Sequence, residues 1–265
     1  MTSSSDITPT PAPERLARLR RYAQEDISGV TGWLQVGSLA AIWSLLETQI
    51  AAGIAGDVVE IGVYHGKSFL LFANSLDAGE RAIAIDPLDQ AGRRQKFEDN
   101  CRVFLREEQA FALHAIPSDQ FREEGRCSEF AGKVRALHID GGHVYDAVRN
   151  DLKIALEVLS ETGFVVVDDM AHPWYPDITV AVADHLREDA ALTAFAMTAA
   201  NTPVTNGGSK LFLARPKGAG FLRKALRSAL AHNFKYERDF VGQTIDIFDF
   251  HQGVQKNPLK SQSHP

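Results

Sequence analysis

Between Asp57 and Arg215 short apolar runs alternate with longer amphipathic ones. DVVEIG (57–62), RAIAID (81–86), AFALHAI (110–116), VRALHID (134–140) and GFVVVDD (163–169) are rich in Val, Ile, Leu and Ala. Each predicts a short strand, several of them buried on both faces. Helical patterns follow four of them: from Lys67, over Arg93 to Arg106, over Tyr145 to Leu159, and over Thr179 to Arg187. This alternation predicts a mostly parallel sheet with helices on both faces. LTAFAMT (192–198) and SKLFLAR (209–215) have only a loop between them, which predicts an antiparallel edge. The expected fold is therefore α/β and Rossmann-like, with seven strands in a domain at 57–216.

The flanks read differently. Residues 1–13 are rich in Ser, Thr and Pro and predict a disordered tail. Residues 14–56 form an N-terminal helical segment. Its first helix, Glu14 to Ala23, carries Arg15, Arg18, Arg20 and Arg21, expected on a solvated face. Its second, SLAAIWSLLETQIAA (38–52), is apolar and is expected to pack on the domain that follows. Residues 217–265 read as a C-terminal extension: a basic helix over Phe221 to Ala231, the aromatic segment KYERDFVGQTIDIFDFHQG, and frayed residues from Lys256. The aromatic segment is expected outside the core sheet. With Trp33 and Trp43 it predicts a homo-oligomer, because large apolar patches mark contacts.

Composition narrows the function. At 265 residues the chain holds one large domain, and 45% hydrophobic with 23% charged residues is an ordinary globular balance. A net charge of -6 and a pI near 5.8 argue against a nucleic-acid partner. No apolar run is long enough for a membrane span, and the N-terminus lacks the pattern of a secretory signal. Cys101 and Cys127 stand in unrelated contexts, so a reducing, cytoplasmic setting is expected.

In VVEIGVYHGKS the first strand turns into a helix through Gly62 and Gly66, which permit a tight turn and close approach of a ligand to the backbone. Glu60 stands near the strand end and Ser68 at the start of the helix. About twenty residues on, Asp86 ends the second strand, where a carboxylate can accept hydrogen bonds from ribose hydroxyls. The G-x-x-x-G spacing, with Tyr64 inside the turn, suits a pyrophosphate poorly. S-adenosylmethionine has none, so a methyl donor is preferred over NAD. Ser118 and Asp119, after the third strand, either hold the adenine or cap a helix.

ALHIDGGHVYDAV and VVVDDM put Asp140 at the end of the fourth strand and Asp168 and Asp169 at the end of the fifth. Adjacent parallel strands bring these ends together at the carboxyl edge, where open sheets bind ligands. Three unpaired carboxylates would repel, and a divalent cation resolves this: Mg²⁺ above all, with Ca²⁺ and Mn²⁺ as alternatives. His143, three residues past Asp140, is the candidate general base. His172, Trp174 and Tyr175 either line a substrate pocket or pack their own loop, and His138 reads as structural.

These segments resemble a known group. VVEIGVYHGKS, AIAIDP, LHIDGGHVYDAVRNDLKIALEVLSETGFVVVDD and SKLFLAR are similar to the metal-dependent class I methyltransferases related to macrocin and mycinamicin O-methyltransferases, over roughly residues 30–215. The resemblance implies a seven-stranded fold, S-adenosylmethionine, Mg²⁺ and a small-molecule hydroxyl substrate, often on a sugar. It assigns the metal to Asp140, Asp168 and Asp169 and the base to His143. Other members carry an acid one residue before that histidine, where this chain has Gly142. Two other readings stay open: a nicotinamide-dependent oxidoreductase and a catalytically silent binding module.

Overall fold

The computed structural model describes residues 11–107, 109–200 and 207–250. The proposed tail at 1–13, for all but its last three residues, and the frayed end from Lys256 lie outside them. Strands form at every predicted run: β1 (Asp57–Ile61), β2 (Arg81–Ile85), β3 (Ala110–His114), β4 (Val134–Ile139), β5 (Leu159–Met170), β6 (Thr193–Thr198) and β7 (Ser209–Ala214). The helices are α1 (Ala12–Gln24), α2 (Val36–Ala51), α3 (Lys67–Ala73), α4 (Arg93–Phe104), α5 (Ser118–Glu123), α6 (Tyr145–Val158), α7 (Pro176–Glu188) and α8 (Pro216–Ala229).

The sheet has nine strands, not seven. Phe234–Phe240 and Gln243–Phe248 form two more, β8 and β9, and the order is β3-β2-β1-β4-β5-β7-β6-β9-β8. β1 to β5 pair in parallel and β6 and β7 pair antiparallel, as expected; β7 lies between β5 and β6. β9 then pairs in parallel with β6. The aromatic segment therefore lies in the core sheet and not outside it. Its alternation of polar and apolar residues is a strand pattern, and Ile245 and Phe248 are buried in the core. Asp246 is buried beside them and accepts hydrogen bonds from Arg223 and Arg227 of α8, which ties the hairpin to that helix.

Period-two alternation divides the strand side chains between two cores. One face carries Val58, Ala84, Ala136, Val166 and Phe212 beneath α1, α2, α3, α4 and α8. The other carries Val59, Ile83, Leu137, Val167 and Leu211 beneath α5, α6 and α7. Segments 14–56 and 217–248 thus complete the same sheet sandwich as 57–216.

The basic face of α1 is a second correction. Arg15 and Arg18 are buried and not solvated, while Arg20 and Arg21 are exposed. Arg15 donates to the carbonyl of Ser75 and pairs with Asp77 and Glu80, and Arg18 donates to the carbonyl of Asn74 at 3.0 Å. Arg135, fully buried in β4, donates to the same Ser75 carbonyl and to Gln49 of α2. These carbonyls follow α3, where backbone acceptors have no helical partner.

Among the described residues no helix is long and apolar enough to cross a membrane.

Candidate active site at the carboxyl edge of the sheet

The ends of β1, β2, β4 and β5 open into a cavity of about 900 Å³, within the size range of small-molecule sites. At one end lies the glycine turn. Gly62 has φ +84°, and a Cβ there would stand 2.0 Å from the carbonyl oxygen of Asp140. Glycine at this position thus lets β1 and β4 deliver their ends side by side. Gly66, also in the left-handed region, opens α3 against the ring of Phe97 and does not line the cavity.

Asp86 lines the cavity and also braces the turn. Its Oδ2 accepts from the backbone N–H of Val63 and Tyr64 at 2.9 and 3.0 Å, and its Oδ1 accepts from Leu88. Oδ2 is thus filled by two backbone donors, and Oδ1 keeps lone-pair capacity for a ligand. Ser68 lines the cavity and donates to Glu60 Oε1 at 2.5 Å. Glu60 lies behind it, fully buried, and does not reach the cavity. Ser118 and Asp119 both line the cavity. Neither caps α5; Ser118 Oγ donates to buried Asp151 at 2.5 Å.

The acids stand at the other end. β5 and β7 lose one residue of register between Val167 and Met170, a bulge that contains Asp168 and Asp169. Bulges re-aim side chains next to sites. Asp169 has φ +54° and its Oδ1 accepts from Gly208 N–H, while the two carboxylates face different partners. Asp168 pairs with Lys210 of β7, which is buried and lines the cavity. Asp169 faces His143, with Oδ2 3.5 Å from Nε2. Asp140 Oδ1 lies 4.0 Å from the same nitrogen.

The expected three-acid group does not assemble as one set. Potential ligand atoms gather instead in two overlapping trios, His138–Asp140–Asp168 and Asp140–His143–Asp169. In the second trio His143 Nε2 is buried without a hydrogen-bond partner. The carboxylates of Asp140 and Asp169 converge beside this nitrogen, and their oxygens fit a divalent cation.

Electrostatics reflect the crowding of acids. Burial pushes Asp140 up to about 6, and the charge of Asp168 adds to the effect. Contact with Asp140 raises His143 above the ordinary imidazole value against the opposing effect of burial, and the charges of Asp140, Asp169 and Asp168 reinforce it. Burial pushes Asp168 the same way, but Lys210 and then His138 outweigh it and hold this carboxyl below its ordinary value.

A wall of rings leads outward from these acids. His143 stacks on Tyr175 at 4.1 Å, Tyr175 on His172 at 4.7 Å, and Trp174 meets His172 edge-on. All four line the cavity, as does Trp33, which is 64% exposed. His172, Trp174 and Tyr175 are thus both pocket lining and loop packing.

Lys210 and the partners of His138 escaped the sequence reading. The available signal was a cation in SKLFLAR and a histidine in VRALHID, each at an inward position of an apolar strand. Only the sheet order makes them neighbours.

Residues 59–170 match the family model of a methyltransferase domain. An uncharacterized protein of Acanthamoeba polyphaga mimivirus is 24% identical over 170 residues, covering 61% of this chain and 71% of that protein. Among solved structures, an O-methyltransferase from Bacillus cereus in complex with SAH has a TM-score of 0.54 at 11% identity, covering 79% of this chain and 93% of its own. The O-methyltransferase TomG from Streptomyces achromogenes, in complex with SAM, has a TM-score of 0.53 at 15% identity, covering 76% and 89%. The chain shares the α/β Rossmann-like fold of these structures.

Proposed function

We propose that this chain is an S-adenosylmethionine-dependent O-methyltransferase acting on a hydroxyl of a small molecule, a sugar or glycoside among the candidates. One observation carries the reading. A continuous cavity joins the glycine turn and Asp86 to a histidine set between two carboxylates.

The donor lies at the first end. Asp86 Oδ1 accepts from a ribose hydroxyl, the backbone at Gly62 passes close to the ligand, and Ser118 and Asp119 border the adenine. Ser68, oriented by Glu60, completes this end. Tyr64, in the turn, crowds a pyrophosphate but not a sulfonium donor.

The acceptor hydroxyl lies at the second end. An alcohol is a weak nucleophile, so its proton must leave as the oxygen attacks the methyl carbon. His143 Nε2 takes that proton. The methyl group passes to the oxygen and the sulfur leaves as a neutral thioether, so no acid is required. The chain's remaining task is alignment of oxygen, carbon and sulfur. Asp140 and Asp169 would hold a divalent ion, which when bound supplies positive charge that eases loss of the hydroxyl proton.

Calorimetric titration with S-adenosylmethionine and, separately, NADH tests the reading. We expect binding of the first and not the second, followed by methyl transfer in a screen of sugars, glycosides and catechols with and without Mg²⁺. Asp86→Ala should weaken donor binding by roughly 1–3 kcal/mol, as loss of a charge-assisted hydrogen bond does. Binding of NADH without S-adenosylmethionine would overturn the proposal in favour of hydride transfer.

A further inference from the structure

Four polar side chains form a row across neighbouring strands on one face of the sheet: Glu60 on β1, His138 on β4, Asp168 on β5 and Lys210 on β7. Glu60 and His138 are register partners, and Glu60 Oε1 receives His138 Nδ1 at 2.5 Å. His138 Nε2 then accepts from Lys210 Nζ at 3.0 Å, and the same ammonium pairs with Asp168. Glu60, His138 and Lys210 are each no more than 2% exposed.

Lys210 is therefore bonded to two of the three members of the His138–Asp140–Asp168 trio. The other cations that line the cavity are engaged elsewhere. Lys67 donates to the carbonyl of Gly32, and the Arg93 guanidinium lies over the ring of Tyr64. A compact ammonium with three donors can stand where a metal ion would, because it also brings positive charge to several lone pairs at once.

We propose that the site is built for two cations and that the chain supplies one itself. The Lys210 ammonium fills the position between His138 and Asp168, and the position between Asp140 and Asp169, beside His143, is left for a divalent ion. Asp168 is then a partner of lysine and not a metal ligand. Glu60 and His138 hold the ammonium in place from the side of the donor turn. In the methyltransferase reading, on which the placing of the acceptor rests, this fixed charge stands beside the acceptor oxygen whether or not an ion is bound.

Mn²⁺ binding to the full chain, read by calorimetry and electron paramagnetic resonance, tests this without any turnover. The wild type should bind one Mn²⁺. Lys210→Met should bind a second, or bind Mn²⁺ more tightly by about tenfold or more, the usual scale for a change at a ligand set. The double variant Lys210→Met with Asp168→Asn should lose that gain. A folded Lys210→Met protein with wild-type stoichiometry and affinity overturns the proposal, as does a wild type that binds no Mn²⁺ at millimolar concentration or binds two. If Lys210→Met does not fold, single variants decide. Asp168→Asn should keep affinity close to wild type and Asp140→Asn should lose it; equal losses overturn the assignment. S-adenosylmethionine titration of the same samples reports separately on the methyltransferase reading.

Discussion

His143 and Asp151 show how burial and neighbours set the chemistry of single residues. In metal-stripped protein the His143 ring should titrate above 6.5, because its contact with Asp140 favours the protonated form. A divalent ion held by Asp140 and Asp169 should bring that midpoint down, since like charges oppose protonation. A ring titration by NMR, with chelator and then with Mg²⁺, reads both shifts; a midpoint that Mg²⁺ leaves in place removes the ion from this position. His143→Ala should lower kcat by about 10²–10⁴-fold, the usual range for a general base, with donor affinity unchanged. A wild-type kcat with chemistry rate-limiting makes another group the base. Asp151, fully buried beneath Ser118 and Gly141, has one oxygen without a partner, and burial pushes it up to about 7. The folded state therefore holds a proton that the unfolded chain loses near 3.8. The stabilisation is complete below that value and is lost as pH rises through about 7. Asp151→Asn cannot ionise, so its stability relative to wild type should rise between about pH 4 and pH 8, by an amount on the order of a few kcal/mol. Thermal melts across this range check it; parallel curves for the two proteins would place the proton elsewhere.

At the scale of elements, the site depends on two strand ends that approach closely. Gly62 allows the end of β1 to pass the Asp140 carbonyl, and Gly208 lies against the backbone of Asp169, where a Cβ would stand 2.6 Å from its Cα. Each glycine thus fixes the position of an acid on another strand. Gly62→Ala adds both a clash with backbone and a side chain at φ +84°. The strain should cost roughly 1–3 kcal/mol or more and displace Asp140. A lowered melting temperature with donor binding lost is expected, and a variant with wild-type stability and affinity would show that the β1–β4 approach can relax. The bulge in β5 lies at the same edge and spans Asp168 and Asp169, the first facing Lys210 and the second His143.

For the whole molecule, the testable property is assembly. The expectation of a homo-oligomer rested on Trp33, Trp43 and the segment around Phe240 to Phe250. The hairpin β8–β9 now pairs in the chain's own sheet, and Trp43 packs against the core, which leaves Trp33 exposed at the mouth of the cavity. A subunit contact through Trp33 would set one molecule beside another's site. Light scattering at micromolar concentration should give a multiple of 29.1 kDa if the proposal holds, and a mass of 29.1 kDa alone would end it. The arginines of α1 concern the same scale. By reaching the carbonyls after α3 and the acids Asp77 and Glu80, they tie the N-terminal segment to the strand core.

The sequence by itself determined the seven strands β1 to β7, their mixed direction and the places where acids meet the sheet edge. Those features are local: apolar runs of strand length, helices or loops between them, and glycines and aspartates at the ends. Period-two burial and the rules for connecting parallel strands turn them into a topology. The fate of the polar side chains was decided only in three dimensions. Asp168 and Asp169 are neighbours in the chain, yet one faces Lys210 and the other His143, because β7 lies beside β5 on one side and the loop after β4 lies on the other. Likewise Arg15 and Arg18 looked solvated on an amphipathic helix, and the carbonyls that bury them come from residues about sixty positions away. The strands β8 and β9 were written as an aromatic segment with strand alternation, but pairing with β6 depends on an edge that exists only after β6 and β7 have folded together. Local pattern sets which elements form; which charge meets which is a property of the assembled sheet.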